Sequence, residues 1–197
     1  MAAVEHRQNG RRPEELRRAI FEYFLEHGLA DASLRPLAKA VGSSPRVLLY
    51  YFGSKEQMLA DVLADIRKVQ RAGFDRIKAG SFGEECRLVW DRMTEPDTER
   101  HFRLYFEAYG IALREPQRYK KFLQATVNDW LDFIADPLRQ GGISRHEARA
   151  FATIVLAGFR GFMLDFCNTH DRQRIGRAIE IWTGTLDAML PQAKELS

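Results

Sequence analysis

Between Ser33 and Glu56 the chain sets out side chains whose chemistry suits a base edge or a phosphate oxygen. Arg46 carries a planar fork of donors that could bond a guanine bidentately. Ser44, Tyr50 and Tyr51 offer hydroxyls, and the ring of Tyr50 could also pack on a thymine methyl. Lys55 falls in the first turn of a helix, where its ammonium and the helix N-terminus together favour a phosphate. Arg35 lies on the helix before, and Pro45 sets the turn that presents Arg46. Arg35, Ser44, Pro45, Arg46, Tyr50, Tyr51 and Lys55 are thus the candidate DNA-contacting residues.

The elements that must position them are two short helices meeting at Val41-Gly42-Ser43-Ser44. The first runs from a cap at Ser33 to about Val41. The second opens with Ser44 as N-cap and Pro45 at the first helical position, and stops at Phe52-Gly53. Leu34, Leu37, Ala38, Val41, Val47 and Leu48 are apolar at helical spacing and form the inner faces. This is the pattern of a helix-turn-helix, whose second helix can enter a major groove. Spacing alone leaves a second reading open, a compact helical corner that binds nothing.

The run SLRPLAKAVGSSPRVLLYYFGSKEQML resembles the head of the tetracycline-repressor (TetR) family of bacterial regulators. The matching residues are Leu37-Ala38, Gly42-Ser43-Ser44, Leu48, Tyr50-Tyr51-Phe52 and Ser54-Lys55-Glu56, with Ile20, Phe21, Phe24 and Gly28 upstream. Three positions depart from the family pattern. Ser43 replaces the usual Val, and Arg46 replaces a small residue. Leu49 stands where relatives carry a Tyr that often contacts phosphate. The resemblance implies a dimeric transcriptional regulator with a small-molecule pocket in its helical body and a dimer interface on its last two long helices. The phosphate role would then pass to Tyr50 and Tyr51.

Helical spacing continues to the end of the chain, so the expected fold is all-α: a three-helix head and a larger helical body, about nine helices in all. The expected division is residues 1–53 for DNA binding and 54–197 for ligand binding and dimerisation. A long fourth helix begins at the capping-box pair Ser54 and Gln57 and is expected to reach about Lys78, burying Met58, Leu59, Val62, Leu63, Ile66 and Val69. Further capping-box pairs stand at Ser81 with Glu84 and at Ser144 with Glu147.

In the body, Phe102, Tyr105, Phe106, Tyr109, Trp130, Phe133, Phe159, Phe162 and Phe166 recur on inward stripes and are the candidate ligand-binding residues. Thr126, Asn128, Asp129 and Asp165 are candidate polar groups among them. An aromatic stripe at helical spacing is more often core than pocket lining, and each of these residues reads first as core. Phe151, Val155, Ile175, Ile179, Trp182 and Leu186 are the candidate dimerisation residues on the last two helices. The glycines Gly158, Gly161, Gly176 and Gly184 there suggest close helix approach.

The remaining composition mostly excludes. Net charge is only +3. A basic arm, Arg7, Arg11, Arg12, Arg17 and Arg18, could reach a minor groove or remain a solvated tail. Cys86 and Cys167 form neither a disulfide framework nor a metal spacing. No pair among His6, His27, His101, His146 and His170 has ligand spacing, and no nucleophile or phosphate-loop motif occurs, so neither catalysis, cofactor nor metal is expected. No uninterrupted apolar run reaches membrane-spanning length and the start lacks a signal peptide's apolar core, which points to the cytoplasm and away from a membrane. The reading is a repressor released from a palindromic operator by a small apolar or aromatic molecule. The alternatives are an activator or corepressor-dependent regulator, or a helical ligand-binding module without DNA binding.

Overall fold

A computed structural model describes residues 13–29 and 33–190. Arg7, Arg11 and Arg12 of the basic arm lie outside them. The described residues form nine α-helices and no strand: α1 (Pro13–His27), α2 (Leu34–Ala40), α3 (Pro45–Phe52), α4 (Lys55–Phe74), α5 (Phe82–Met93), α6 (Pro96–Arg114), α7 (Pro116–Gln140), α8 (Arg145–Thr169) and α9 (Arg172–Met189). Side-chain caps set several of the starts, though Ser33, in extended backbone before α2, makes no side-chain cap bond. The backbone N–H groups of Gln57, Glu84 and Glu147 donate to the hydroxyls of Ser54, Ser81 and Ser144 at 3.1, 3.1 and 3.3 Å. Such a cap is worth about 1 kcal/mol, because it satisfies a donor that has no partner inside the helix.

α4 is shorter than its sequence pattern implied. It ends at Phe74, and the chain then turns, with the N–H of Ile77 donating to the carbonyl of Phe74 at 2.9 Å. Its stripe also differs in phase. Val69 is 65% exposed, whereas Gln70, seven residues after the buried Leu63, is only 6% exposed. Two helical turns return a side chain to the same face, so position decides burial here and side-chain type does not.

The chain divides into two compact units. Unit 1 comprises Met1–Lys68 with Leu104–Phe122, and unit 2 comprises Val69–Arg103 with Leu123–Ser197. Unit 1 buries Leu16, Ile20 and Phe24 of α1, Leu37 of α2, Leu48 of α3 and Met58 and Val62 of α4, each at most 2% exposed. Full burial of such side chains stabilises by about 1.5–3 kcal/mol each. The part of α6 in unit 1 is fastened to the end of α1: Leu29 N–H donates to Glu107 Oε2 at 2.6 Å. Arg118 of α7 pairs with Glu56 of α4. Arg17 of α1 lies 3.8 and 3.6 Å from the carboxylates of Asp61 and Asp65, so this member of the basic arm is engaged within the fold.

Unit 2 is organised by α9. Asp187 accepts from the Ser81 hydroxyl at 2.8 Å and from Gly83 N–H at 2.6 Å, capping α5 from outside. Arg87 of α5 donates to Thr183 at 3.0 Å. Arg172 reaches the hydroxyl and the carbonyl of Thr94, both at 2.9 Å. The core gathers Cys86, Leu131, Ala135, Leu138, Ala148, Phe151, Ala152, Val155 and Leu186. α8 is unusually apolar. Its most apolar 18-residue window has a mean hydropathy of 1.5, and only 28% of that window is buried. By length and composition α8 could cross a membrane, because its arginines break the apolar run without lowering the average much.

Candidate nucleic-acid interface and effector body

The turn between α2 and α3 is built from backbone bonds. The N–H groups of Val41, Gly42 and Ser43 donate to the carbonyls of Leu37, Lys39 and Ala38 at 3.0, 3.2 and 2.8 Å. Gly42 has φ +65°, a conformation that costs a side-chain-bearing residue energy and a glycine little. The chain then extends through Ser44, whose hydroxyl accepts from Val47 N–H at 3.3 Å, with Pro45 opening α3. α3 stops at Gly53, whose N–H returns to the Leu49 carbonyl at 2.8 Å.

That geometry sorts the eight residues of α3 into two faces. Leu48 and Phe52 are buried at 1% and 6%. Arg46, Leu49, Tyr50 and Tyr51 are exposed, Tyr50 the most at 83%. The Tyr50 and Tyr51 rings meet edge to face with centroids 5.5 Å apart. Ser44 and Arg35 are exposed, and Pro45 and Lys55 are half-buried. One property of this surface lies in charge order and not in any motif. From Ser33 to Lys55 the sequence holds Arg35, Lys39, Arg46 and Lys55 and no Asp or Glu. The first carboxylate after them, Glu56, is held below its ordinary pKa by its own backbone N–H, by Ser54 and by Arg118, with burial opposing. A stretch of one sign, at the end of a helical head, suits a polyanion.

The candidate ligand-binding residues divide between the units. Tyr105, Phe106 and Tyr109 belong to unit 1, where the Tyr105 and Tyr109 hydroxyls lie 3.0 Å apart. Phe102, Trp130, Phe133, Phe159, Phe162 and Phe166 belong to unit 2. Two clusters appear there. Trp130 contacts Phe74 and Phe133 with centroids 5.9 and 5.7 Å away, and the Arg71 guanidinium lies 5.1 Å over the Phe133 ring. Separately, Trp182 contacts Phe159 and Phe162, and Trp90 contacts Phe162 and Phe166. Gln70, on α4 one turn before Phe74, has an amide nitrogen with no hydrogen-bond partner among the described residues. Sequence reading missed Gln70; a polar residue in phase with a buried stripe was its signal. Two of the proposed polar groups are engaged elsewhere. Asn128 accepts from Arg149 at 2.7 Å. Asp165 takes two 2.9 Å bonds from Arg174, which hold its carboxyl below the ordinary value.

The candidate dimerisation residues are placed differently from expectation. Phe151, Val155, Ile175, Ile179 and Leu186 are 7, 1, 1, 2 and 1% exposed, buried in the chain's own core. Trp182 packs on Gly158 so closely that a Cβ there would overlap its indole. The largest apolar side chains were drawn into the monomer core, where they bury most area. An exposed stripe of α8 instead carries Ala150, Ile154, Ala157, Gly161 and Leu164, with Arg149 and Thr153 exposed beside it, and one of α9 carries Ile181, Gly184, Thr185 and Ala188, with Arg177 and Glu180 exposed beside it. Ile154, Leu164 and Ile181 are 43, 47 and 69% exposed.

Comparison with known proteins follows the same division. Residues 16–62 match the family described as bacterial regulatory proteins, tetR family. The HTH-type transcriptional regulator BetI of Stenotrophomonas maltophilia (strain R551-3) is 34% identical over 68 residues, which are 34% of this chain and 35% of BetI. The match therefore spans about a third of that relative's length. Among solved structures, a transcriptional regulator from Rhodococcus sp. Rha1 superposes with TM-score 0.72 at 21% identity, covering 89% of this chain and 96% of the other. Thermus thermophilus FadR, a transcriptional repressor solved with lauroyl-CoA, superposes with TM-score 0.65 at 22% identity, covering 94% and 99%. At these identities the structures speak for the fold.

Proposed function

We propose that the chain is a ligand-responsive, DNA-binding transcriptional regulator, a reading supported by the match of its residues 16–62 to the tetR family of bacterial regulatory proteins. It acts in the cytoplasm as a homodimeric repressor, without catalysis, and a small apolar or aromatic molecule releases it from a palindromic operator. The observation that carries this reading is the α2–α3 surface, capped and turned as a helix-turn-helix, with cations and no carboxylate from Ser33 to Lys55. Residues 1–53 bind DNA. Arg46 reads a guanine, Tyr50 and Tyr51 contact phosphate or sugar, and Arg35, Ser44 and Lys55 fix the register on the backbone.

Residues 54–197 bind the effector and the second copy. The second copy docks on the exposed α8 and α9 face. An apolar helix less than a third buried within its own chain needs further cover, and Ala157, Gly161 and Gly184 let another helix come close. A two-fold dimer then offers two α3 helices to half-sites about 34–36 Å apart, or a multiple of that. FadR was solved in complex with lauroyl-CoA; in this chain the effector is placed among the aromatics of unit 2. Gln70, Phe74, Trp130 and Phe133 are the favoured lining, with the Gln70 amide donating to an acceptor on the ligand. α4 runs unbroken from Lys55 to Phe74, so strain at Gln70 is carried along one helix to the head. The effector works only through its different affinity for the two head spacings.

Selection of bound duplexes from a random-sequence pool tests the reading. An inverted repeat should be recovered, and log K should fall steeply with log salt in proportion to the phosphates neutralised. Recovery of no duplex, with a flat salt dependence, overturns it.

A further inference from the structure

Leu49 is the residue on the outward side of α3 that the proposed function leaves without a role. It is 40% exposed while its neighbour Leu48 is 1% exposed, so the helix turns an aliphatic side chain outward in the middle of its recognition surface. Three residues earlier on the same side stands Arg46, also exposed. The composition of α3, PRVLLYYF, narrows what such a surface can read. It has no Asn or Gln to bond adenine bidentately and no Asp or Glu to accept from cytosine N4. It has one guanidinium, suited to guanine, and it has apolar surface. The one base-edge feature in the major groove that apolar surface recognises is the thymine C5-methyl.

We infer that Leu49 is a specificity-determining residue that packs on a thymine methyl one base step from the guanine read by Arg46. The spacing suits this. Three helical residues advance about 4.5 Å along the axis, and stacked bases are about 3.4 Å apart. A leucine here reads sequence where a tyrosine hydroxyl would hold a phosphate, so base readout replaces a register contact. The inference rests on the DNA-binding reading above and deepens it.

The test alters the DNA by a single methyl group. Duplexes recovered from the random-pool selection are resynthesised with each thymine replaced in turn by deoxyuridine, and affinities are measured for the wild-type dimer and for Leu49→Ala. One thymine per half-site, next to the conserved guanine, should weaken wild-type binding about fourfold when its methyl is removed, the worth of one buried methyl group. Leu49→Ala should lose about as much on the thymine duplex and lose nothing further on the uracil duplex. Its salt slope should match the wild type's, because an apolar contact displaces no counterion. Uracil-insensitive binding by the wild type, or the same uracil penalty in Leu49→Ala, overturns the inference while leaving DNA binding intact. Failure to recover any duplex overturns the regulator reading itself, and this inference with it. The wild-type uracil series needs no protein variant, so an insensitive result overturns the inference even if Leu49→Ala folds poorly. Tyr50→Ala, at a side chain 83% exposed, should keep the uracil penalty, and its loss there would assign the methyl contact to the tyrosine ring and overturn the inference.

Discussion

The outward faces of α3 and of α8 with α9 both expose apolar side chains, but of different kinds. α3 shows Tyr50 and Tyr51, with Arg46 and Leu49 beside them. α8 and α9 show Ile154, Leu164 and Ile181 among alanines and glycines. Tyrosine and arginine pair an apolar body with a donor, which suits a wet, charged partner. An aliphatic face with small residues has nothing to offer a phosphate; it suits a surface like itself. The two faces therefore call for partners of opposite chemistry. Each should respond to a different perturbation, salt for the first and an introduced charge for the second.

The largest effect should come from placing a charge on the aliphatic face. Ile181→Arg should weaken self-association by about two orders of magnitude or more, because an unpaired buried charge costs about 3–5 kcal/mol. Sedimentation should show monomers with unchanged helicity, since Ile181 is 69% exposed in the single chain. An unchanged dimer mass would remove this face from the interface. Trp182→Arg is the contrasting change. It strikes the ring packed on Phe159, Phe162 and Gly158, so it should unfold unit 2 and should not release folded monomers.

Next come two glycines on α8 that differ in what surrounds them. A Cβ on Gly158 overlaps the Trp182 indole, so Gly158→Ala should destabilise by about 1–3 kcal/mol, read as a lower melting temperature. A Cβ on Gly161 meets nothing within 4 Å in the single chain, so Gly161→Ala should leave the fold intact and act only on dimer affinity. Equal destabilisation by both would erase the distinction between the buried and exposed sides of α8.

These contrasts also explain how far the sequence could be read. In the head, Ser44-Pro45 and Gly42 are local instructions: each names a cap, a first turn or a backbone conformation, and the structure uses them so. α3 therefore has the start and end expected of it, and its outward residues follow from register. From Ala150 to Phe166 only Thr153, Arg160 and Asp165 of α8 are polar, so pattern could not divide the face toward the core from the face toward solvent. The largest residues were assigned to the interface, and the core took them. The same weakness put Val69 on a buried stripe that belonged to Gln70. Glu107 could not be read at all. Its role at Leu29 N–H depends on residues 78 apart in sequence, and nothing local announces such a contact.

On the polar face the expected effects are smaller and depend on sequence or salt. Arg46→Ala should cost about 1–3 kcal/mol of operator binding and relax preference at one base pair, without changing dimer mass. Competition assays with single-base operator variants would read it. An equal loss on every duplex would demote Arg46 to a phosphate contact, and the head would then hold DNA without a guanine-specific reader.

The smallest effect compares the two regions by one cap each. Ser44 and Ser144 both accept the N–H of the third residue on, at 3.3 Å, and each is worth about 1 kcal/mol. α3 has eight residues and α8 has 25. In a helix of two turns the cap is a large share of what keeps the first turn formed; in a helix of seven turns it is a fraying correction. Ser44→Ala should therefore raise amide exchange across all of α3 and weaken operator binding, since Arg46 sits in the loosened turn. Ser144→Ala should raise exchange only near residue 147 and leave both DNA and dimer affinity alone. Equal, local effects at the two sites would mean that α3 is held by Leu48 and Phe52 alone. Its first turn would then be as firm as that of a helix three times its length.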